Sequence, residues 1–397
     1  MTKKPTDATT SGTTTTSGAV ITEVDIGFYT PPTLTRKHRL GEILRLRPTA
    51  TPDLACAGPA WQILFVSRDS HGTAIPVSGT VITPDGARDL AAGPLLVYYP
   101  SFHGLGGPCA PSQLLAEGTE PEAEQISAAL ARGWVVAVAD GEALGVLGHG
   151  PHTFLAGRAA GQIILDLARA AARIPAVNAV GAPILLWGYG DGGRAAVWAG
   201  GLQPRYAPEL DLRAIAAGAV VTEPGPFLRH IDASRWPSLG VAALLGLARA
   251  HRHLPLPRVF TETARLLLAD AETSSRKQLC AQFQYSLAAW CMRPDPWDDP
   301  VWRHVFALEL IKASGTPAVP VHLYHGRADK IVPVEFGRRL ARDLRSRGAP
   351  MQWREFDTDH LRTARTAIGD VLDVLAGHLT DSALEPDPGE RAHPRPA

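Results

Sequence analysis

Gly188-Tyr189-Gly190-Asp191-Gly192-Gly193 is the stretch that decides how this chain folds. The apolar run Pro183-Ile184-Leu185-Leu186-Trp187 precedes it, and the helix-like run Arg194-Ala195-Ala196-Val197-Trp198-Ala199 follows. This context predicts a strand, a sharp turn and a helix. A turn of this kind, in the pattern G-x-S-x-G, lifts a serine hydroxyl clear of the sheet. Here the flanking small residues are Gly188 and Gly192, and the position between them is Gly190. The frame is that of a nucleophile, and its apex has no side chain.

Outward from this turn, other apolar runs read as strands. Leu95–Tyr99 and Trp134–Ala139 are short and continuous, as strands buried on both faces are. Ala214–Thr222, Pro320–His325 and Met351–Phe356 follow. Ala60–Val66 and Ile75–Thr83, the latter closed by Pro84-Asp85-Gly86, predict an antiparallel hairpin. Helical patterns separate most of the later strands, at Ala156–Arg173, Val334–Arg347 and Thr363–Leu379. Alternating strands and helices predict a mostly parallel sheet with helices on both faces. Between residues 225 and 312 the strand signal disappears and helical patterns replace it, clearest at Val241–Arg252 and Pro257–Ala269. We read this as a helical lid inserted into one domain.

The chain has 397 residues, 45% of them hydrophobic, and equal numbers of basic and acidic residues, 39 each. That balance gives no electrostatic footprint for nucleic acid or an anionic membrane, and no apolar run is long enough to span a bilayer. Residues 1–20, rich in Thr, Ser and Gly, and residues 382–397, rich in Pro and charge, read as disordered tails. The first tail lacks the apolar core of a signal peptide, so a cytoplasmic location is expected. Cys56, Cys109, Cys280 and Cys291 show no metal-binding spacing and read as buried thiols. No metal and no organic cofactor is implied.

Two residues downstream fit the chemistry of the turn. Asp329 follows the Pro320–His325 strand, and His360 follows the Met351–Phe356 strand. Gly190, Asp329 and His360 stand in the order nucleophile, acid, histidine of the α/β-hydrolase fold. In that fold the acid fixes the imidazole tautomer and stabilises the imidazolium. His103-Gly104 follows the Leu95–Tyr99 strand, where backbone N–H groups would meet an oxyanion. The N–H of Asp191 would be the second donor. Asp191 itself is a weak candidate for a carboxylate nucleophile, because the residue two before it is the bulky Tyr189. A carboxylate in the first turn of a helix is accounted for by the helix dipole. Ser101 and Ser112 lie on no such turn and read as structural.

Several stretches resemble one family. They are Phe28-Tyr29-Thr30-Pro31-Pro32, the Trp61–Val81 hairpin, His103–Ser112, Gly150–Arg158, Tyr324–Asp329 and Asp359-His360. Together they resemble the secretory lipases, α/β-hydrolases of actinobacteria and yeasts, over roughly Phe28 to Leu379. The resemblance implies an acyl-ester substrate and a Ser–Asp–His triad in which Asp329 and His360 are the acid and base. Its serine falls on Gly190. The chain also departs at Asp140-Gly141, where the family usually carries an aromatic residue after the aspartate.

Loss of the serine from such a triad costs roughly six orders of magnitude in turnover, and glycine forms no acyl-enzyme. The reading preferred from the residues is a lyase. An Asp329-oriented His360 acts as general base and eliminates a carboxylate, such as acetate, from an acylated intermediate in natural-product (antibiotic) assembly. The alternatives are hydrolysis by His360-activated water and a catalytically silent lipase relic that binds a small acylated ligand.

Overall fold

The computed structural model describes residues 27–86, 93–253 and 259–380. The two expected disordered tails lie outside the described residues.

Among the described residues nine strands form one sheet: β1 Ile43–Thr49, β2 Ala57–Arg68, β3 Ala74–Pro84, β4 Leu95–Tyr99, β5 Val135–Ala139, β6 Ile184–Tyr189, β7 Leu212–Gly218, β8 Val321–Gly326 and β9 Met351–Phe356. Their order is β1-β2-β3-β5-β4-β6-β7-β8-β9. The first three pair antiparallel, as does β3 with β5, and every pair from β5–β4 to β8–β9 is parallel. Every residue of β4, β5 and β6 is buried. Their uninterrupted apolar sequences follow from this, because a strand with helices on both sides has no solvent face to mark with polar residues.

Helices cover both faces. On one side, α3 Gly157–Ala172, α4 Asp191–Tyr206 and α11 Val334–Ser346 pack on Val97, Ala137, Leu186 and Ile215. On the other, α1 Pro111–Glu117, α2 Ala123–Ala131 and α13 Ile368–Thr380 pack on Leu96, Val136, Leu185 and Ala216. The side chains alternate between the two cores along each strand, as the pleat requires.

Between β7 and β8 lie α5 Pro224–Asp232, α6 Ser238–Ala250, α7 Glu262–Ala271, α8 Arg276–Gln282, α9 Leu287–Trp290 and α10 Pro300–Leu308. A short 3₁₀ turn, Ile311–Ala313, completes the insertion. These helices have their own core, in which Phe227, Leu244, Trp290 and Trp302 are buried. Trp236 and Trp297 pack against it half-buried. The insertion sits on the loop after β4. Arg276 N–H donates to the His103 carbonyl at 2.8 Å, and Leu105 N–H donates to the Ser274 carbonyl at 2.9 Å.

Some expectations change. Strand β1 and helices α1 and α2 were not foreseen. The insertion's clearest helices run over Ser238–Ala250 and Glu262–Ala271 against patterns over Val241–Arg252 and Pro257–Ala269, and the first two residues of the second pattern lie outside the described residues. The long C-terminal pattern breaks into α12 His360–Thr366 and α13. All four thiols are free, but only Cys109 and Cys291 are buried, while Cys56 is exposed.

Candidate active site

Gly190 links the end of β6 to the first residue of α4, with φ +59° and ψ −115°. Its N–H donates to the Gly218 carbonyl at 2.9 Å, and its carbonyl accepts from Arg194 N–H at 3.0 Å. The two flanking glycines are required by contact. A Cβ on Gly188 would lie 2.3 Å from the Gly192 carbonyl carbon, and one on Gly192 would lie 1.8 Å from the Tyr99 carbonyl oxygen. Strand and helix therefore touch backbone to backbone around an apex at Gly190. Asp191 is the first helical residue, as the register predicts.

The apex has room. A Cβ on Gly190 would meet only Ser101 Cβ at 3.7 Å and His360 Nε2 at 4.0 Å within that range. The imidazole edge of His360 thus faces the point from which a side chain would rise.

His360 opens α12 directly after β9, capped by the Asp359 side chain, which accepts from Arg362 N–H. Its Nδ1 lies 2.6 Å from Asp329 Oδ2. Asp329 Oδ1 accepts from the N–H groups of Ile331 and Val332, each at 2.9 Å. His325 Nε2 is 3.4 Å from Asp329 Oδ2 and 2.8 Å from the Val332 carbonyl. Burial alone would raise the Asp329 pKa, but hydrogen bonds and charge from His325 and His360 hold it well below the usual carboxylate range. An ionised Asp329 only accepts, so the proton sits on His360 Nδ1 and the Nε2 lone pair faces Gly190. Tyr189 fixes the ring further. Its hydroxyl donates to the His360 carbonyl at 2.7 Å, and the two rings are 4.9 Å apart.

The loop after β4 departs from expectation. Neither His103 nor Gly104 is the loop residue beside the apex; Ser101 is. His103 Nε2 pairs with buried Glu120 at 2.8 Å. Burial would lower the His103 pKa, but the Glu120 partner raises it. Gly104 bridges to Ser275 of the insertion. The inserted helices dock on residues 103–105 and engage their backbone. Ser101 N–H and Oγ both donate to the Glu122 carboxylate, the amide at 3.1 Å, and the Tyr98 hydroxyl donates there too. The residue placed to offer an oxyanion donor therefore has that donor engaged. Sequence reading took Ser101 as structural and passed over Glu122, whose role depends on α2 reaching back to β4.

Asp191 is buried, with Oδ2 3.7 Å from His152 Nε2. His152 Nδ1 lies 3.0 Å from the Glu142 carbonyl. Burial pushes Glu142 up to about 7 and Asp140 up to about 6. Asp140 accepts from Ser78 and Ser112 just beyond the end of β5, which ties down the stretch that follows. Among the described residues no group of three or more His, Cys, Asp or Glu is arranged to hold a metal ion.

A mostly parallel sheet, a strand–turn–helix elbow and an acid–histidine pair on the loops after the last two strands define an α/β-hydrolase. The profile of the secretory lipases matches residues 110–380, and the chain belongs to that family. Lipase 4 of Candida albicans is 28% identical over 337 residues, covering 77% of this chain and 70% of that protein. A Mycobacterium tuberculosis protein named probable inactive lipase MT1628 is 29% identical over 362 residues, covering 85% of this chain and 78% of its own. Among solved structures, Candida antarctica lipase A superposes with a TM-score of 0.79 at 19% identity, covering 89% of this chain and 86% of that one. The rice cell wall degrading esterase LipA of Xanthomonas oryzae gives 0.69 at 18%, covering 85% and 99%.

Proposed function

We propose that this chain is a lipase-family protein in which glycine has replaced the nucleophile serine. It processes an acyl ester without an acyl-enzyme, with His360 as the general base. The observation that carries this is the aim of His360 Nε2 at the empty apex, 4.0 Å from where a Cβ on Gly190 would stand. The deletion of a CH₂OH group leaves space of the order of one water, about 30 Å³. A water there accepts orientation from Nε2 and loses its proton to it as it attacks the ester carbonyl. The products are an alcohol and an acid. This hydrolytic reading comes first because the relatives are named lipases. It displaces elimination from the position that the residues alone suggested.

Elimination remains the second reading, with the same base and a different target. A C–H bond beside a carbonyl and an acyloxy group would fill the same space. Its proton would go to Nε2, its electron pair would form the alkene, and the carboxylate would leave. The favouring observation is the engaged Ser101 amide, since elimination depends less on a tetrahedral oxyanion than hydrolysis does. A silent, ligand-holding protein is the third reading, in keeping with the relative named probable inactive lipase.

Product analysis with a panel of acyl esters separates the three. Alcohol plus acid, lost in His360→Ala, supports hydrolysis. Alkene plus acid, lost in the same variant, supports elimination. Saturable binding with no product overturns both.

A further inference from the structure

A cavity of about 540 Å³ lies away from the elbow, between the β2–β3 turn, α3, the second half of α4 and the ends of α6 and α10. Its α4 residues, Trp198 and Arg205, stand eight and fifteen positions beyond Gly190, so they are roughly 12 and 22 Å along the helix from the apex. It is within the size range of sites for small molecules.

Among the described residues, four polar atoms of the residues in the wall have no hydrogen-bond partner. Gln162 is 4% exposed, His251 4% and Trp198 2%. Gln162 Oε1, His251 Nδ1 and Trp198 Nε1 are nonetheless without a partner, as is Ser70 Oγ. All four residues line this one cavity. Leaving such a group buried and unpaired is unfavourable, so their clustering points to something that pairs with them. Gln162 Oε1 accepts, as does His251 Nδ1 while Nε2 donates to Glu309; Trp198 Nε1–H donates, and a serine hydroxyl does either. Hydroxyl groups, which both donate and accept, are the complement of that set.

Charge supplies the other half. Glu309 lines the cavity, but its carboxylate is held by buried Arg194 at 3.2 Å, by His251 Nε2 at 2.9 Å and by the Gly157 N–H at 2.8 Å. Arg158 and Arg205 are exposed at the cavity and make no ion pair among the described residues. Two uncommitted guanidinium groups match a phosphate or carboxylate by forked hydrogen bonds.

We propose that this cavity is a binding site, separate from the elbow, for a small hydroxylated anion of the sugar-phosphate class. The phosphate meets Arg158 and Arg205, and the hydroxylated body meets Gln162, His251 and Ser70.

Titration calorimetry on the full chain tests it, with D-glucose 6-phosphate, inorganic phosphate and D-glucose as probes. The sugar phosphate should bind at least about tenfold tighter than either fragment. Arg158→Ala with Arg205→Ala, both exposed, should weaken it at least about tenfold. Gln162→Leu should remove the advantage over inorganic phosphate while leaving phosphate binding in place. No saturable binding of any probe overturns the proposal. So does equal binding of sugar phosphate and inorganic phosphate, or binding unchanged in the double arginine variant. None of these outcomes depends on turnover at His360.

Discussion

Introducing serine at the elbow apex is a perturbation whose outcome is calculable from the site. In Gly190→Ser the new Cβ meets Ser101 at 3.7 Å and His360 at 4.0 Å, ordinary van der Waals contact, so no neighbour has to move. The cost is backbone strain at φ +59°, on the order of 1–3 kcal/mol for a non-glycine residue. The hydroxyl, one bond further out, enters hydrogen-bond reach of His360 Nε2, whose tautomer Asp329 already sets. A full triad is worth roughly 10⁶ in turnover over its serine-less form. Ser101 N–H is engaged by Glu122 in the parent and the variant alike, so the loss of that oxyanion donor cancels in their ratio. The expected gain is therefore of the order of 10⁶ in kcat for p-nitrophenyl butyrate. An initial burst and an acyl adduct in the intact mass should accompany it, and both should vanish in Gly190→Ser with His360→Ala. A folded Gly190→Ser protein with less than about a tenfold gain would refute the geometry assigned to the apex.

Three further outcomes follow from the surroundings. Asp329→Asn should keep the fold but disfavour the Nδ1–H tautomer of His360, cutting His360-dependent turnover by roughly 10⁴, measured as kcat at neutral pH. Glu142 rises from an ordinary 4.5 to about 7 in the fold. A raised carboxyl pKa means the folded chain binds the extra proton, so stability falls as pH climbs from about 4.5 through 7, by about 3 kcal/mol for this group. Glu142→Gln, read as thermal melts, should match the parent near pH 4.5 and exceed it at pH 8. An equal difference at both pH values would contradict this. Arg194, fully buried at the start of α4, donates to the Leu155, Val221 and Glu309 carbonyls and pairs with the Glu309 carboxylate. Arg194→Met removes the guanidinium partner of that buried carboxylate, leaving it only His251 and the Gly157 N–H, and should cost about 3–5 kcal/mol in chemical denaturation.

The elbow was legible because its constraints are local. Two glycines that let β6 and α4 touch, and an apex at positive φ, leave a signature within five residues. Asp329 and His360 were legible for a related reason: each directly follows a buried strand whose apolar run is visible in the sequence. The oxyanion side was not. Ser101 beside the apex and Glu122 against Ser101 are set by how α2 and the inserted helices dock on the loop after β4, and docking leaves no periodic trace. Strand β1 hid because it is only half-buried, with the pattern of intermediate and exposed residues of an edge. The exposed Cys56 sits at φ +59°, at the bulged start of β2, where a turn overrides the burial usual for a thiol.

In the proposed reaction His360 acts directly and no acyl-enzyme forms. Intact-mass spectrometry of the protein during turnover of an acyl ester, alongside His360→Ala, distinguishes this from acyl transfer to the chain. Turnover by the parent chain with its mass unchanged, and loss of turnover in the variant, are expected. An acyl group found on the parent chain, or turnover that survives the loss of His360, would contradict the proposal.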